Sequence, residues 1–365
     1  MPDGESRRID RKILRFIDEH RMTEASDAAF QALALEIFEY QFRRNTYYRK
    51  FCLLEKKDPC AVKNWKEIPA MPALAFKELV LTSFPARTRV RVFRTSGMTR
   101  EIKGAHFFDT LRLYEASILP SFERYLLPDL PAGALMTGGA DLSYYFLISP
   151  SKEAPHSSLS YMMEVVNRHF ASGRGKYYVK KGAPLFDKLA SDLKKEKKQI
   201  FLLATAFALK GFLDFLAARK IKLRLTPGSR IMETGGMKGR TKEISKNALY
   251  AQCAGRLGVP RTRCVSEYGM TELSSQMYSV AMRPFSGPAW LRTLVIDPRT
   301  GKEAKKSAVG LLRHLDLANR GSVMAVQTED LGRVAGCGFE LLGRAKGSSL
   351  RGCSLSYEEF IRRGV

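Results

Sequence analysis

Ile200-Phe201-Leu202-Leu203-Ala204, followed at once by Thr205 and the run Ala206–Arg219, decides the fold class. The first stretch reads as a strand of a sheet core, and the second repeats apolar residues at helical spacing. The apolar run Ile200–Leu209 is too short to cross a bilayer: it contains Thr205 and stops at Lys210. The same alternation continues on both sides. Tyr144–Ile148, Arg230–Glu233 and Arg263–Val265 read as strands. Leu159–Phe170, Leu185–Lys195 and Thr241–Arg256 read as helices, the last closed by Gly258 and Pro260. Strand–helix alternation of this kind predicts parallel sheets with helices on their faces.

Further out the pattern changes. Residues 26–44 place Phe30, Leu33, Ala34, Ile37 and Phe38 on one side of an amphipathic helix. After Pro69 and Pro72, Val90–Arg94 and Ala105–Phe108 read as strands joined by the loop Thr95–Gly104. Asp109 is expected to cap a helix running to about Leu127, disturbed at Pro120. Beyond Trp290 the strands shorten, and Asp297-Pro298-Arg299-Thr300-Gly301 marks a hairpin. The chain reads as an α/β protein with a β-rich C-terminal part.

The 365 residues are 45% hydrophobic and 27% charged, an ordinary globular composition. The N-terminus lacks the apolar core of a secretory signal, and a cytoplasmic location is expected. Six cysteines (Cys52, Cys60, Cys253, Cys264, Cys337, Cys353) form no CxxC pair. Free thiols in a reducing compartment are expected, rather than a disulfide framework or a zinc site. The formal net charge is +24, from 61 Lys and Arg against 37 Asp and Glu. No base-stacking aromatic motif lies among the basic clusters, so nucleic acid is not the expected partner. A surface so basic also attracts nucleotides and acidic proteins.

Four segments carry chemistry. Thr95-Ser96-Gly97-Met98-Thr99-Arg100-Glu101-Ile102-Lys103-Gly104 offers hydroxyls, glycine backbone and a lysine to a phosphate, or else is a hydroxyl-rich hairpin turn. It is not the GxxxxGK[ST] phosphate loop. Glu233-Thr234-Gly235-Gly236-Met237-Lys238-Gly239-Arg240 leaves a strand and enters a helix, where open α/β sheets bind ligands. A tight connection needing positive φ would look the same. Ser266-Glu267-Tyr268-Gly269-Met270-Thr271-Glu272 supplies a ring, a glycine, a hydroxyl and a carboxylate able to hold Mg²⁺ against a phosphate, or else is a surface loop with an N-cap threonine. In Thr328-Glu329-Asp330, followed by Gly343-Arg344, an aspartate at a strand end can grip a ribose or start a turn.

As an ordered set these segments resemble the adenylate-forming superfamily of acyl-CoA synthetases, peptide-synthetase adenylation domains and luciferases. Thr95–Gly104 resembles its phosphate loop, Tyr268–Glu272 its YGxTE motif, Thr328–Asp330 its TGD motif, and Gly343-Arg344 the GR before its hinge. One branch is closer, the acyl-protein synthetase (LuxE type) of the bacterial bioluminescence fatty-acid reductase. That likeness adds Ile68-Pro69-Ala70-Met71-Pro72, Thr234–Lys238 and the ending Arg351-Gly352-Cys353-Ser354-Leu355. It covers the chain from about Asn45 onward.

The resemblance implies the adenylate-forming large domain, with mixed and parallel sheets flanked by helices. Residues 1–60 would be a helical segment, 61–342 the main domain, and 343–365 the hinge and a short remnant. Most of the mobile C-terminal subdomain, with its catalytic lysine, is expected to be absent, as in the acyl-protein synthetases. The activity implied is ATP-dependent formation of an acyl-adenylate from a fatty or other carboxylic acid, then acyl transfer to an enzyme cysteine. Thr95, Ser96, Gly97, Thr99 and Lys103 would face the ATP phosphates, and Gly235 and Gly236 would border the adenine with Tyr268 stacked on it. Thr271 would face the α-phosphate, Glu272 hold Mg²⁺, Asp330 bind the ribose and Arg344 meet the nucleotide near the hinge. Cys353 would carry the acyl group, its thiolate favoured by Arg351, Lys346 and Arg344 nearby in sequence. Met98, Arg100 and Glu329 depart from the superfamily pattern, which has Thr or Ser, Gly and Gly there.

An acyl-reductase, acyltransferase or acyl-carrier protein would be the partner. Two alternatives stand beside this reading. One is a ligase passing the acyl group to a small thiol, an amine or a carrier protein. The other is a non-catalytic nucleotide- or partner-binding protein of the same fold.

Overall fold

The strand read at Ile200–Ala204 spans Gln199–Thr205 and lies inside a six-stranded sheet whose two faces are both covered. The structure is a computed structural model that describes residues 3–95, 102–130, 142–235 and 244–345. In chain order the first elements are α1 (Gly4–Glu19), α2 (Asp27–Arg44), α3 (Thr46–Leu54), β1 (Met71–Pro72) and α4 (Ala75–Glu78). Next come β2 (Arg91–Arg94), β3 (Ala105–Phe108), α5 (Arg112–Leu126), β4 (Leu142–Leu147), α6 (Ser158–Phe170), β5 (Lys176–Tyr177), β6 (Val179–Lys180) and β7 (Ala183–Pro184). Then follow α7 (Phe186–Lys195), β8 (Gln199–Thr205), α8 (Ala206–Ala218), β9 (Arg230–Thr234), α9 (Lys246–Leu257), β10 (Cys264–Tyr268) and β11 (Met277–Val280). The last strands are β12 (Leu291–Ile296), β13 (Gly310–Asp316), β14 (Ala325–Ala335) and β15 (Gly338–Arg344).

Two units form. One holds the described residues up to Pro120, Met270–Gln276 and those from Pro284 onward; the other holds Ser121–Gly269 and Met277–Arg283. The boundary falls inside α5 and inside the Ser266–Glu272 segment.

In the second unit the sheet runs β11-β10-β9-β8-β4-β5, parallel throughout except for β11. Side chains alternate along β8. Ile200, Leu202 and Ala204 pack with Leu189, Leu193, Leu209, Phe212, Leu216 and Tyr250 of α7, α8 and α9. Phe201, pointing the other way, meets Phe122 and Tyr144, and Phe122 stacks on Phe170 of α6. Each such buried side chain contributes on the order of 1.5–3 kcal/mol. The Leu142–Ile148 and Ile200–Leu209 runs are thus sheet and helix core. Thr205 caps α8 and Ser245 caps α9, while Gly258 closes α9 at φ 73°. The α9 helix therefore starts at Lys246, later than the sequence reading had it.

In the first unit α1, α2 and α3 begin at Asp3, Ser26 and Asn45, each accepting a backbone N–H three residues on. The five residues expected on the buried side of α2 are all buried. The sheet runs β1-β14-β13-β12 with β15 on β14; β1 is parallel to β14 and the other pairs are antiparallel. Not every expectation holds. The strands beyond Trp290 do not shorten but run to 6, 7, 11 and 7 residues, since antiparallel pairing extends along β14 on both sides. Asp109 does not cap α5: the Arg112 N–H bonds Thr110 Oγ1 at 3.3 Å, and the Asp109 carboxylate pairs with Arg320. A buried guanidinium outbids a cap for that carboxylate. Pro120 lies within α5 without ending it.

The β14–β15 hairpin turns at Gly336, with φ 57°. Just after it, Phe339 exchanges backbone hydrogen bonds with Phe285 at 2.8 and 3.1 Å. A Cβ on Gly338 would lie 1.8 Å from the Phe285 carbonyl oxygen. Gly338→Ala is expected to lower stability by about 1–3 kcal/mol, read as a lower urea midpoint with an unchanged slope. A midpoint equal to the parent's would show that this approach is not tight.

Candidate functional site

The turn that follows Tyr268-Gly269 is built from polar contacts rather than apolar packing. Within the first unit, His106 Nδ1 lies 2.8 Å from the Thr271 carbonyl oxygen. A carbonyl only accepts, so Nδ1 carries the proton. His106 is fully buried beside Phe76 and Phe108, and burial pushes its pKa down to about 4, the Thr271 bond opposing. It is neutral at physiological pH. Asn319 Nδ2 donates to the Glu272 carbonyl at 2.9 Å, and its Oδ1 accepts from Ser274 Oγ at 3.1 Å. Asp316 accepts from Ser274 N, Ser275 N and Ser275 Oγ, each at 2.8 Å. Burial raises its pKa to about 6, with these bonds opposing, so it is ionised at pH 7. Residues 271–275 are thus held by donors and acceptors from β3, β13 and the 317–320 turn.

Glu272 is the group so positioned. Its residue is 7% exposed, and burial pushes its pKa up to about 7. Its own backbone N–H, Arg344 and Lys77 act the other way, while Asp330 adds to the rise. Asp330 pairs with Arg344 across β14–β15, Nε to Oδ1 at 3.4 Å. Glu329 lies 3.9 Å from the same Nε. The structure therefore brings Glu272, Asp330 and Arg344 into one electrostatic neighbourhood, with Lys77 of α4 as a member the sequence did not signal. Asp330 sits inside β14, next to the irregularity between Leu331 and Gly332, rather than at a strand end or in a turn. The irregular register there re-aims side chains along the strand.

The β2–β3 loop closes through Thr95: its N–H meets the Gly104 carbonyl at 3.0 Å, and its Oγ1 accepts from Gly104 N at 2.9 Å. The hydroxyl proton of Thr95 is left for another acceptor. Lys103 is exposed. Thr271 Oγ1 lies 3.5 Å from the Arg94 carbonyl, so the turn and the hairpin base are neighbours in this unit. Ser96, Gly97, Thr99, Gly236 and Cys353 lie outside the described residues, as do Met98 and Arg100.

The other described candidates belong to the second unit. Tyr268 ends β10 and is buried; Gly235 follows β9 at φ 76° in an exposed turn. These strands are adjacent and parallel, in the register Glu267 to Thr234. Both residues therefore stand at the carboxyl ends of neighbouring strands, where parallel α/β sheets take ligands. A solvent-open hollow of about 350 Å³ lined by Leu193, Lys194 and Ile221–Arg224 lies by segments that lead into β8 and β9, at the opposite ends of the strands.

Asp316, Asn319 and Lys77 had no sequence signal of their own. His106 alone hinted at a role, as a polar residue within an otherwise apolar strand.

Among the described residues no group of three or more His, Cys, Asp or Glu could hold a metal ion by itself. Mg²⁺ does not need one: it takes one or two carboxylates and fills its remaining positions with phosphate and water. A single carboxylate, held in place by its backbone and with no side-chain hydrogen bond among the described residues, fits that use at Glu272. When bound there, the ion would neutralise phosphate charge.

No protein-family model matches the sequence, and no curated protein is significantly similar to it. Solved structures do resemble it in fold. 2-Hydroxyisobutyryl-CoA ligase with 2-HIB-AMP and CoA, in the thioesterification state, superposes with a TM-score of 0.62 at 14% identity, covering 84% of this chain and 63% of the ligase. Its open conformation gives 0.61 at 13% identity, over 84% and 65%. Its postadenylation state with 2-HIB-AMP gives 0.61 at 15%, over 87% and 67%. The chain thus spans about two thirds of that ligase. The fold is that of the large domain of adenylate-forming enzymes: mixed and parallel sheets flanked by helices. No helix among the described residues is long and apolar enough to cross a membrane.

Proposed function

We propose that this protein activates a carboxylic acid with ATP and then carries the acyl group on its own Cys353, as an acyl-protein synthetase. In the first step a carboxylate oxygen attacks the α-phosphorus of ATP and pyrophosphate leaves. In the second, the Cys353 thiolate attacks the acyl carbon and AMP leaves. The observation that carries the reading is Glu272, held on a turn whose Thr271 and Glu272 carbonyls and Ser274 and Ser275 N–H groups are engaged, within electrostatic reach of Asp330 and Arg344. A carboxylate fixed this rigidly near a cation and a second acid suits a nucleotide and its metal better than a solvated loop does. The fold shared with a ligase crystallised with an acyl-adenylate supports the same chemistry.

In this reading Thr95, Ser96, Gly97, Thr99 and Lys103 face the phosphates, and Thr271 meets the α-phosphate. Gly235, Gly236 and Tyr268 hold the adenine, and Asp330 and Arg344 hold the ribose and the nucleotide's hinge side. Residues 1–60 form a helical N-terminal segment, 61–342 the main domain, and 343–365 the hinge and a short C-terminal remnant. The five described cysteines are free thiols, which suits a cytoplasmic location. An acyl-reductase, acyltransferase or acyl-carrier protein receives the acyl group, and the basic surface suits docking to an acidic partner.

ATP–pyrophosphate exchange with a panel of fatty and aromatic acids tests the first step. Labelled acid tests the second: a hydroxylamine-labile acyl-protein is expected with the parent chain and not with Cys353→Ser. Labelling that survives this substitution removes Cys353 from the mechanism. Transfer to CoA or an amine without any acyl-protein would favour the second reading, a ligase, which the CoA-ligase fold also supports. Absence of exchange with every acid would leave a binding protein.

A further inference from the structure

The second unit holds a buried acidic cluster that none of the nucleotide roles uses. In the paired strands β9 and β10, Glu233 stands beside Ser266 and Thr234 beside Glu267. Glu233 is 0% exposed. Its Oε1 accepts from Tyr250 OH at 3.0 Å and forms an ion pair with Lys246 Nζ at 3.0 Å. Its Oε2 is buried and has no hydrogen-bond partner among the described residues. Thr234 Oγ1 donates to Glu267 Oε2, and Lys246 also donates to Ser266 Oγ. Burial pushes the Glu267 pKa up to about 7; Thr234 opposes this, the Glu233 charge adds to it, and Lys246 opposes it.

Two features separate this cluster from a core ion network. First, a carboxylate oxygen left without a donor in the interior is destabilising, and buried polar atoms in proteins generally find a partner. Second, the cluster is not sealed. The Lys246 side chain is 41% exposed. Gly235, one residue beyond Thr234, is exposed, and a Cβ built there meets nothing within 4 Å among the described residues. The open end is the carboxyl end of the strands, the ligand side of a parallel sheet. What Glu233 Oε2 lacks is a donor. An alkyl chain does not provide one, and laying a chain against buried carboxylates would leave them unsolvated.

We propose that Glu233, with Lys246 beside it, is a recognition subsite for a hydrogen-bond-donating head group, hydroxyl or ammonium, on the acid this protein activates. The inference rests on the adenylation reading. It replaces a plain fatty acid with a substituted one, whose donor completes the Glu233 carboxylate.

Butanoic, octanoic and dodecanoic acids, each compared with its terminal hydroxy and terminal amino derivatives, are the probes. Binding to the full chain is measured by calorimetry and activation by ATP–pyrophosphate exchange. At least one substituted acid is expected to bind about tenfold or more tighter than its parent, because a site built for a donor rejects an analogue lacking it. An ammonium is identified if Glu233→Gln abolishes the preference, and a hydroxyl if Gln retains it and Glu233→Met abolishes it. Lys246→Met leaves both acids and removes the competing cation. It is expected to tighten an amino acid ligand and not a hydroxy acid, an effect that loss of structure would not produce. Equal binding and exchange for substituted and parent acids would overturn the subsite while leaving adenylation standing. Selective binding without exchange would uphold the subsite and remove adenylation.

Discussion

Replacing Arg320 with methionine is expected to lower the free energy of unfolding by about 3–5 kcal/mol, much of what a domain of ordinary stability has. Arg320 is 0% exposed in the first unit. It donates to both oxygens of Asp10, at 2.8 and 3.0 Å, and to both oxygens of Asp109, at 2.9 and 3.1 Å. Burial disfavours its charge, but the two carboxylates more than compensate and raise its pKa. Methionine would leave two carboxylates buried without a cation. The same residue sits one position from Asn319, which holds Glu272, so its loss reaches the candidate site. Urea unfolding reads the effect. The triple variant Asp10→Asn, Asp109→Asn, Arg320→Met is expected to recover part of the loss, because it removes the stranded charges. A single Arg320→Met variant as stable as the parent would refute this role.

The second large effect concerns Glu272. Glu272→Gln is expected to reduce ATP–pyrophosphate exchange by about 100-fold or more, the scale of losing one preorganised charge-stabilising group. Asp330→Ala is expected to suppress exchange as well. Stability should move the other way. With its folded pKa raised from the ordinary glutamate value of 4.5 to about 7, Glu272 holds its proton more tightly in the folded chain than in the unfolded one. Its contribution to folding therefore worsens as pH rises from about 4.5 to about 7. Glutamine does not titrate, so the variant should gain stability relative to the parent across that window. Cation binding at the carboxylate requires the proton to leave, so Mg²⁺ dependence in the parent should strengthen as pH rises through about 7. Parent-like exchange in Glu272→Gln would end the metal assignment.

How far the sequence could be read differed from element to element. Along β8 and α8 the reading was nearly complete, because burial on both faces leaves an uninterrupted apolar run and Thr205 marks the helix start. The buried side of α2 was legible for the same reason: period and hydrophobicity are local properties. The start of α5 was not. Asp109 is a good cap by residue type, and only the arrival of Arg320, distant in sequence, assigns its carboxylate elsewhere. Asp330 likewise looked like a strand-end or turn residue, but β14 continues past it because β15 returns to pair with it.

At the candidate site the sequence supplied the reactive types in order, Thr271, Glu272, Asp330 and Arg344, since those choices are made residue by residue. It did not supply their support. His106, Asp316 and Asn319 act through hydrogen bonds to backbone groups far away in the chain, and a backbone carbonyl leaves no mark on a sequence. Nor did Glu267 and Glu233 declare themselves, because each is an unremarkable acid until the fold buries it, one against Thr234 and the other against Tyr250 and Lys246. Periodicity and residue chemistry thus determined the α/β class and the list of candidate groups. Which of those groups are buried, paired or left with an open valence was decided only by long-range packing, where desolvation fixes the worth of every charge.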